Sequence, residues 1–237
     1  MNRAKPKEEF KTWGDVFDQF TQKTVYKLIK QGQLEGLESP ISIGKEANVF
    51  SALKKDGTRV MAKIYRLETC DFNKMYEYMR DDPRFPDINR GKRKTIFAWV
   101  QREYRNLHIA REANVSVPTP HAFYNNVLIL EFVGEGDEIA PKLKDKIPKK
   151  PNDFMEKVIE NMKKLQKVGL VHADLSAFNI LNLNEKPVLI DFSQSTGKDS
   201  YRYKEFWERD IRNVTIFFRK IGVEITEEEM KKRIFGK

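Results

Sequence analysis

The sequence predicts a mixed α+β chain in two lobes, the first built on a β-sheet and the second mainly helical. Three observations carry this. Apolar and polar residues alternate through Ile41–Phe50 and Arg59–Tyr65, a period of two that sends successive side chains to opposite faces of a strand. Apolar residues recur at helical spacing from Trp13, from Ile96 and from Phe154. A further apolar run, Val127–Val133, leads into a hinge between lobes expected near Glu131–Gly136.

Each element follows from its own pattern. Trp13, Val16, Phe17 and Phe20 lie at i, i+3, i+4 and i+7, followed by Val25, Leu28 and Ile29, so residues 1–38 should supply accessory helices packed on the first lobe. A strand pair around Gly44 and a turn at Lys54-Lys55-Asp56-Gly57 lead to a third strand, Arg59–Tyr65. There Val60, Ala62 and Ile64 face one way while Met61, Lys63 and Tyr65 face the other, which turns Lys63 toward the cleft. Two prolines in Asp81–Asp87 exclude a long helix. Ile96, Val100 and Leu107 mark a helix over Thr95–Glu112 that carries Glu103. Asn125-Asn126 turns into the strand Val127–Val133, closing a lobe of residues 39–133.

The second lobe, 134–237, opens with a basic run from Lys142 to Lys150 around Pro148, expected to be a mobile loop. Phe154, Val158, Met162 and Leu165 mark its first helix, and helices near Lys204–Ile221 and Glu227–Phe235 close it.

Between these helices lies the chemistry. His172-Ala173-Asp174-Leu175-Ser176-Ala177-Phe178-Asn179 is followed twelve residues later by Asp191, at the end of the apolar run Val188-Leu189-Ile190. An acidic residue, an Asn five positions on and an acidic residue leaving a buried strand can gather a base and two metal ligands around a nucleotide triphosphate. The intervening loop lets Asp174 face an acceptor hydroxyl or water while the Asn179 amide oxygen turns toward Mg²⁺, which demands hard oxygen ligands. Taken singly, Asp174 is as well read as a helix cap and Asp191 as a strand end. Their order and spacing together favour function.

Lys63 alone would pass for a solvated strand residue, but Glu103 offers it a partner. At ~4 Å and an effective dielectric near 20 such a pair attracts by about 4 kcal/mol before desolvation, enough to orient a side chain over phosphates. Gly44 stands where backbone must approach phosphate; a single glycine is by itself as compatible with an ordinary hairpin.

Three blocks together resemble a known family. Ser42–Val49 (Ser-Ile-Gly-Lys-Glu-Ala-Asn-Val), Leu170–Asn179 and Ile190–Ser195 (Ile-Asp-Phe-Ser-Gln-Ser) are similar to those of a RIO kinase of the first subfamily. The resemblance spans roughly Gly32 to Phe218. The second subfamily carries a winged helix ahead of the glycine loop, and the stretch before Gly44 is expected to be too short for one. The resemblance implies a two-lobed protein-kinase-like fold with a truncated large lobe, using ATP with Mg²⁺ or Mn²⁺. It implies Asp174 as catalytic aspartate, Asn179 and Asp191 as metal ligands, and Lys63 with Glu103 as the ion pair. Ser42, Lys45 and Glu46 then cover the phosphates, and Glu131 and Val133 belong to the hinge that receives adenine. It also implies Asp191 as an aspartyl-phosphate acceptor and a role in maturing the small ribosomal subunit, with rRNA as a partner. Self-phosphorylation in the family falls on a serine before the Glu-bearing helix; Leu67–Lys94 holds Thr69 but no serine, so that acceptor is open.

Departures from ordinary protein kinases bear on substrate. Ser193 follows Phe192 where glycine is usual, no Ala-Pro-Glu segment appears, and the stretch after Asp191 is expected to be too short for a peptide-docking subdomain. Two other readings therefore stand beside a RIO-type kinase or ATPase. One is a small-molecule kinase of aminoglycoside-phosphotransferase type, the other a non-catalytic RNA-binding assembly factor.

Composition agrees. The 237 residues carry a formal charge of +9 and a pI near 9.4, inviting an anionic partner at Arg90–Lys94 or Lys142–Lys150. Charged residues form 33% of the chain against about 25% ordinarily, so a solvated Lys/Glu-rich surface explains the excess equally well. No apolar run reaches membrane-spanning length and the N-terminus lacks a signal core, which predicts a cytoplasmic protein with no membrane partner. The single cysteine, Cys70, excludes an internal disulfide, and His108, His121 and His172 are too scattered for a zinc site. His172 is expected to brace the loop ahead of Asp174.

Overall fold

The structure, a computed structural model, describes residues 17–80, 82–85 and 91–236. Trp13, Val16 and Arg90 fall outside this range, as do residues 81, 86 and 87 of the Pro-containing segment.

The first lobe is a five-stranded antiparallel sheet made of β1 (Gly36–Ile43), β2 (Ala47–Leu53), β3 (Arg59–Tyr65), β4 (Pro120–Tyr124) and β5 (Val127–Glu131), ordered β1-β2-β3-β5-β4. Helix α1 (Gln19–Lys30) starts where the Asp18 carboxylate accepts the amides of Phe20 and Thr21 at 2.9 and 3.0 Å, satisfying two donors that the first turn leaves open. Its Val25 and Leu28 pack on Val60, Ala62, Ile64, Val127 and Ile129 from one face of the sheet. The opposite face turns Met61, Tyr65, Leu128 and Leu130 toward the main core. The alternation read in Arg59–Tyr65 is therefore the actual division of β3.

Helix α2 (Phe72–Met79) was not legible, because about two turns hold too few periods to separate from a loop. Helix α3 (Lys92–Glu112) begins three residues before the expected Thr95 and buries a stripe from Ile96 to Ala110.

Beyond β5 the chain forms a small ribbon, β6 (Gly134–Glu135) with β7 (Glu138–Ile139). Gly134 is required there, since a Cβ would lie 2.1 Å from the Glu138 carbonyl oxygen. The second lobe follows with α4 (Pro151–Lys167), β8 (Leu170–Val171), the hairpin β9 (Ile180–Leu183) and β10 (Lys186–Leu189), β11 (Thr196–Gly197), α5 (Tyr203–Lys220) and α6 (Glu227–Phe235). Asn184 and Glu185 both take φ > 0 to make the tight β9–β10 turn.

The Lys142–Lys150 stretch is tied to its surroundings. Leu143 N–H donates to Ile180 O at 2.8 Å, Lys144 N–H to Ala177 O at 3.1 Å, and Asn182 Nδ2 to Lys146 O at 3.2 Å. The apolar Leu143, fully buried in the core, anchors what composition suggested was a mobile loop. Among the described residues no helix is long and apolar enough to cross a membrane.

Candidate active site

The loop after β8 is built around a buried carboxylate that motif reading did not find. Asp210 of α5 accepts the N–H groups of Ala173 and Leu175 at 2.8 and 2.9 Å, gripping the backbone on both sides of Asp174. Between them Ala173 takes φ 65°, a left-handed conformation that a side chain disfavours and the two hydrogen bonds enforce. Arg209 adds a bond to Ala173 O. Burial pushes Asp210 up to about 7, against the two amides and Arg209, which favour its charge.

His172 braces this loop against the second acidic strand end. Its Nε2 lies 3.0 Å from Ile190 O, its ring packs edge-on to Phe192, and its own carbonyl accepts Ser195 Oγ at 3.0 Å. Burial pushes the imidazole down to about 4, so the ring is neutral, and a carbonyl partner puts its one proton on Nε2.

Asn179 closes the loop by donating Nδ2 to Asp174 O at 2.9 Å and to Asp174 Oδ2 at 3.1 Å. This spends the amide nitrogen and leaves Oδ1 as the atom that can ligate a cation. Burial raises the Asp174 carboxyl, and the neighbouring charge of Asp191 raises it further.

Asp191 follows β10 with φ 65°, a second left-handed non-glycine residue at the cleft. Its Oδ1 receives Lys63 Nζ at 3.1 Å and Ser193 Oγ at 2.7 Å. Burial works against its charge, yet Lys63 and Ser193 hold it down at about 2. With 40% of its side chain accessible, the carboxylate still faces the cleft.

Above it, Lys63 Nζ sits 2.8 Å from Glu103 Oε1 and 3.1 Å from Oε2. Tyr65 Oη donates to Glu103 Oε2 at 2.7 Å, so the almost inaccessible Glu103 is fully engaged. Burial opposes charge on Lys63, but Asp191 and Glu103 raise it well above the ordinary lysine value. Burial lifts Glu103, with Lys63 opposing.

These groups surround a cavity of about 490 Å³ between the lobes. Ser42, Gly44, Glu46 and Val49 line it from β1 and β2; Lys63, Glu103 and Leu130 line it behind; Asn179, Leu181, Ile190 and Asp191 line it from the second lobe. Gly44 is needed because a Cβ would fall 2.8 Å from Ala47 O. Lys45 is exposed at the turn, its carbonyl accepting Thr69 Oγ1 at 2.6 Å. Asp174 is not among the residues lining this cavity; it is tied to the cavity through Asn179, which is. The Glu131 carboxylate is taken by Thr119, and the Val133 side chain is buried with Ala140, Leu181 and Val188. Both side chains are thus engaged, and the Glu131 N–H also donates to Thr119 O at 2.8 Å.

Among the described residues no three His, Cys, Asp or Glu side chains form a metal cage. One ionised carboxylate with one amide oxygen, and a second carboxyl beside them, nevertheless fits Mg²⁺, which takes most of its six oxygens from phosphate and water.

Sequence reasoning missed Asp210, Ser193, Tyr65 and Asn106. Two carried a signal. Asp210 falls on the buried stripe Phe206, Trp207, Ile211, Val214 of α5, and Asn106 on that of α3, and a polar residue on an apolar stripe must have a specific partner.

A sheet lysine paired to a helix glutamate, facing an acidic loop and an acidic strand end across an interlobe cavity, defines the protein-kinase-like class. The backbone agrees: the Rio2 kinase of Chaetomium thermophilum superposes with a TM-score of 0.69 at 21% identity, covering 89% of this chain and 66% of that one. The family model of the RIO domain matches residues 48–231. A RIO-type serine/threonine-protein kinase Rio1 of Haloferax volcanii is 39% identical over 234 residues, 99% of this chain and 81% of that protein. The Methanocaldococcus jannaschii Rio1 kinase is also 39% identical, over 97% of this chain and 79% of its own length. Human RIO1 is 33% identical, and there the match covers only 40% of the relative. The chain belongs to the RIO family and is of Rio1 type.

Proposed function

We propose that this chain is an ATP-dependent serine/threonine-protein kinase of RIO type, with ATP hydrolysis as a second outcome of the same centre. The observation that carries this reading is the convergence of Lys63, Glu103 and Asp191 on one ion-paired cluster, from strands and helices far apart in sequence, at the back of a cavity roofed by a glycine turn. The Rio1 relatives are named serine/threonine-protein kinases, and a Rio2 structure of the same fold was solved with ADP, Mg²⁺ and phosphoaspartate.

In this reading the adenine lies against the backbone at Glu131 and Val133, among Ile41, Leu130 and Leu181. The Val133 carbonyl already accepts the Ala140 N–H at 2.9 Å, while its own N–H has no partner among the described residues. Ser42, Lys45 and Glu46 cover the phosphates, and Lys63, held by Glu103, contacts them. Asn179 Oδ1 and the Asp191 carboxylate would hold Mg²⁺, whose charge would screen that building up on the transferring phosphoryl group. Asp174 accepts the proton of the attacking hydroxyl or water; its raised pKa leaves it a usable base and the Asn179 bond orients it. Where Asp191 itself is the acceptor, its carboxylate oxygen forms the new bond to the γ-phosphorus as the bond to the β-phosphate oxygen breaks. ADP leaves with that electron pair, and water later cleaves the acyl phosphate to phosphate and free Asp191.

The partner we propose is the maturing small ribosomal subunit and its rRNA. Its support is the net charge of +9 and the lysines of Lys142–Lys150, which border the cavity through Lys142 and Asp145. The activity is tested by incubating the chain with γ-labelled ATP and Mg²⁺ and following both free phosphate and labelled protein. Turnover that disappears in Asp174→Ala supports the reading; a label or phosphate release that persists unchanged in that variant removes it.

A further inference from the structure

Helix α3 presents two buried polar side chains one turn apart. Glu103 holds Lys63, while Asn106, fully buried, reaches the backbone that follows Asp191. Its Nδ2 donates one hydrogen to Phe192 O at 2.9 Å and the other to Ser195 O at 2.8 Å. Its Oδ1 accepts Arg84 Nη1 at 2.8 Å. A flipped amide would set oxygen against two carbonyl oxygens and an NH₂ group against a guanidinium, so the three partners fix one orientation.

Arg84 is held in turn. Its Nε and Nη2 fork onto Asp82 at 2.8 and 2.6 Å, and Asp82 also faces the fully buried Arg102, whose Nε is 3.3 Å away. The turn at the far end of this chain of contacts needs restraint, because Asp191 sits at φ 65° without being glycine. Neither the Lys63 pair nor Ser193 grips the backbone beyond Asp191; the Asn106 amide does.

We propose that Asn106 is a positioning residue for Asp191, and that Arg84, from the segment between α2 and α3, sets the Asn106 amide for that task. One helix then orders both halves of the centre, the lysine through Glu103 and the acidic turn through Asn106. The consequence for catalysis rests on the reading of Asp191 as a metal ligand; the restraint itself does not.

Amide hydrogen exchange on the nucleotide-free chain separates the two. In Arg84→Ala, a change at a partly exposed side chain, exchange at Phe192–Thr196 should rise roughly tenfold while the β1–β3 amides keep their rates. In Asn106→Leu the local rise should be larger, and adding Arg84→Ala to it should change nothing more, since both act through one route. Where Mg²⁺-dependent turnover is present, both variants should raise the Mg²⁺ concentration for half-maximal rate several-fold more than the KM for ATP. Unchanged exchange at Phe192–Thr196 in Arg84→Ala, a uniform rise across the chain, or effects that multiply in the double variant would overturn the proposal. Wild-type chain without any nucleotide turnover would count against the kinase reading and leave the exchange result to decide this one.

Discussion

Asp174 and Asp191 are both carboxylates in one cleft, and their surroundings push them apart. Burial and a like charge raise Asp174, whereas Lys63 and Ser193 overcome burial to keep Asp191 ionised at about 2. Division of labour follows. Asp174→Ala should lower kcat by about 10²–10⁴-fold with nucleotide affinity nearly unchanged. Asp191→Asn should instead lose the Mg²⁺-stimulated part of nucleotide binding, measured by titration calorimetry with and without the metal. Equal losses of affinity in both variants would contradict these roles.

Asp210 and His172 give the loop an opposed pH response. Asp210, at about 7 when folded against an ordinary 3.8, binds a proton in the folded state first, so its contribution to stability grows as pH falls from 7 toward 4. His172, at about 4 when folded against 6.5, leaves the unfolded chain to bind first, so stability falls as pH drops from 6.5 to 4. Asp210→Asn removes the first response. Urea melts of that variant should lose stability with falling pH more steeply than wild type, by up to about 1.4 kcal/mol per pH unit. Parallel pH profiles would show that Asp210 does not titrate in that range.

Side chains that form a recognisable string, such as Asp174, Asn179 and Asp191, were legible without coordinates, and so was Lys63 from the alternation of β3. Asp210 and Asn106 were not, because each works on backbone groups dozens of residues away and carries no motif of its own.

At the scale of elements, long periodic stretches read well. The helices expected near Lys204–Ile221 and Glu227–Phe235 are Tyr203–Lys220 and Glu227–Phe235, within a residue at each end. Short elements did not read: α2 and the two-residue strands β6, β7, β8 and β11 are defined by partners rather than by pattern. The Lys142–Lys150 stretch looked mobile for the same reason, since its basic composition outweighed the one buried leucine that pins it. Gly134 shows how tightly such a short ribbon is fitted. Gly134→Ala would drive a methyl group into Glu138 O and the Phe132 ring, costing about 1–3 kcal/mol, read as a lower urea midpoint. A midpoint equal to wild type would mean that β6 and β7 separate freely.

For the molecule as a whole, α3 ties the sheet lobe to the helical one, reaching Lys63 on one side and the Asp191–Ser195 turn on the other. The last strand of the sheet, β5, ends at Glu131, and the β6–β7 ribbon starts at Gly134. Charge belongs to this scale too. If Lys142–Lys150 touches RNA phosphates, association with small-subunit RNA should weaken steeply between about 50 and 200 mM salt, and Lys144→Ala with Lys146→Ala should flatten the slope. A salt-independent association would assign those lysines to solubility.

Crystals grown with Mn²⁺ and a non-hydrolysable ATP analogue probe the shared centre most directly, because the anomalous signal locates the cation without reference to side-chain density. The metal is expected within ligating distance of Asn179 Oδ1 and an Asp191 carboxylate oxygen, in the cavity lined by Gly44. A cation bound away from both residues, or an analogue lodged outside the interlobe cavity, would contradict a phosphoryl-transfer centre at this place.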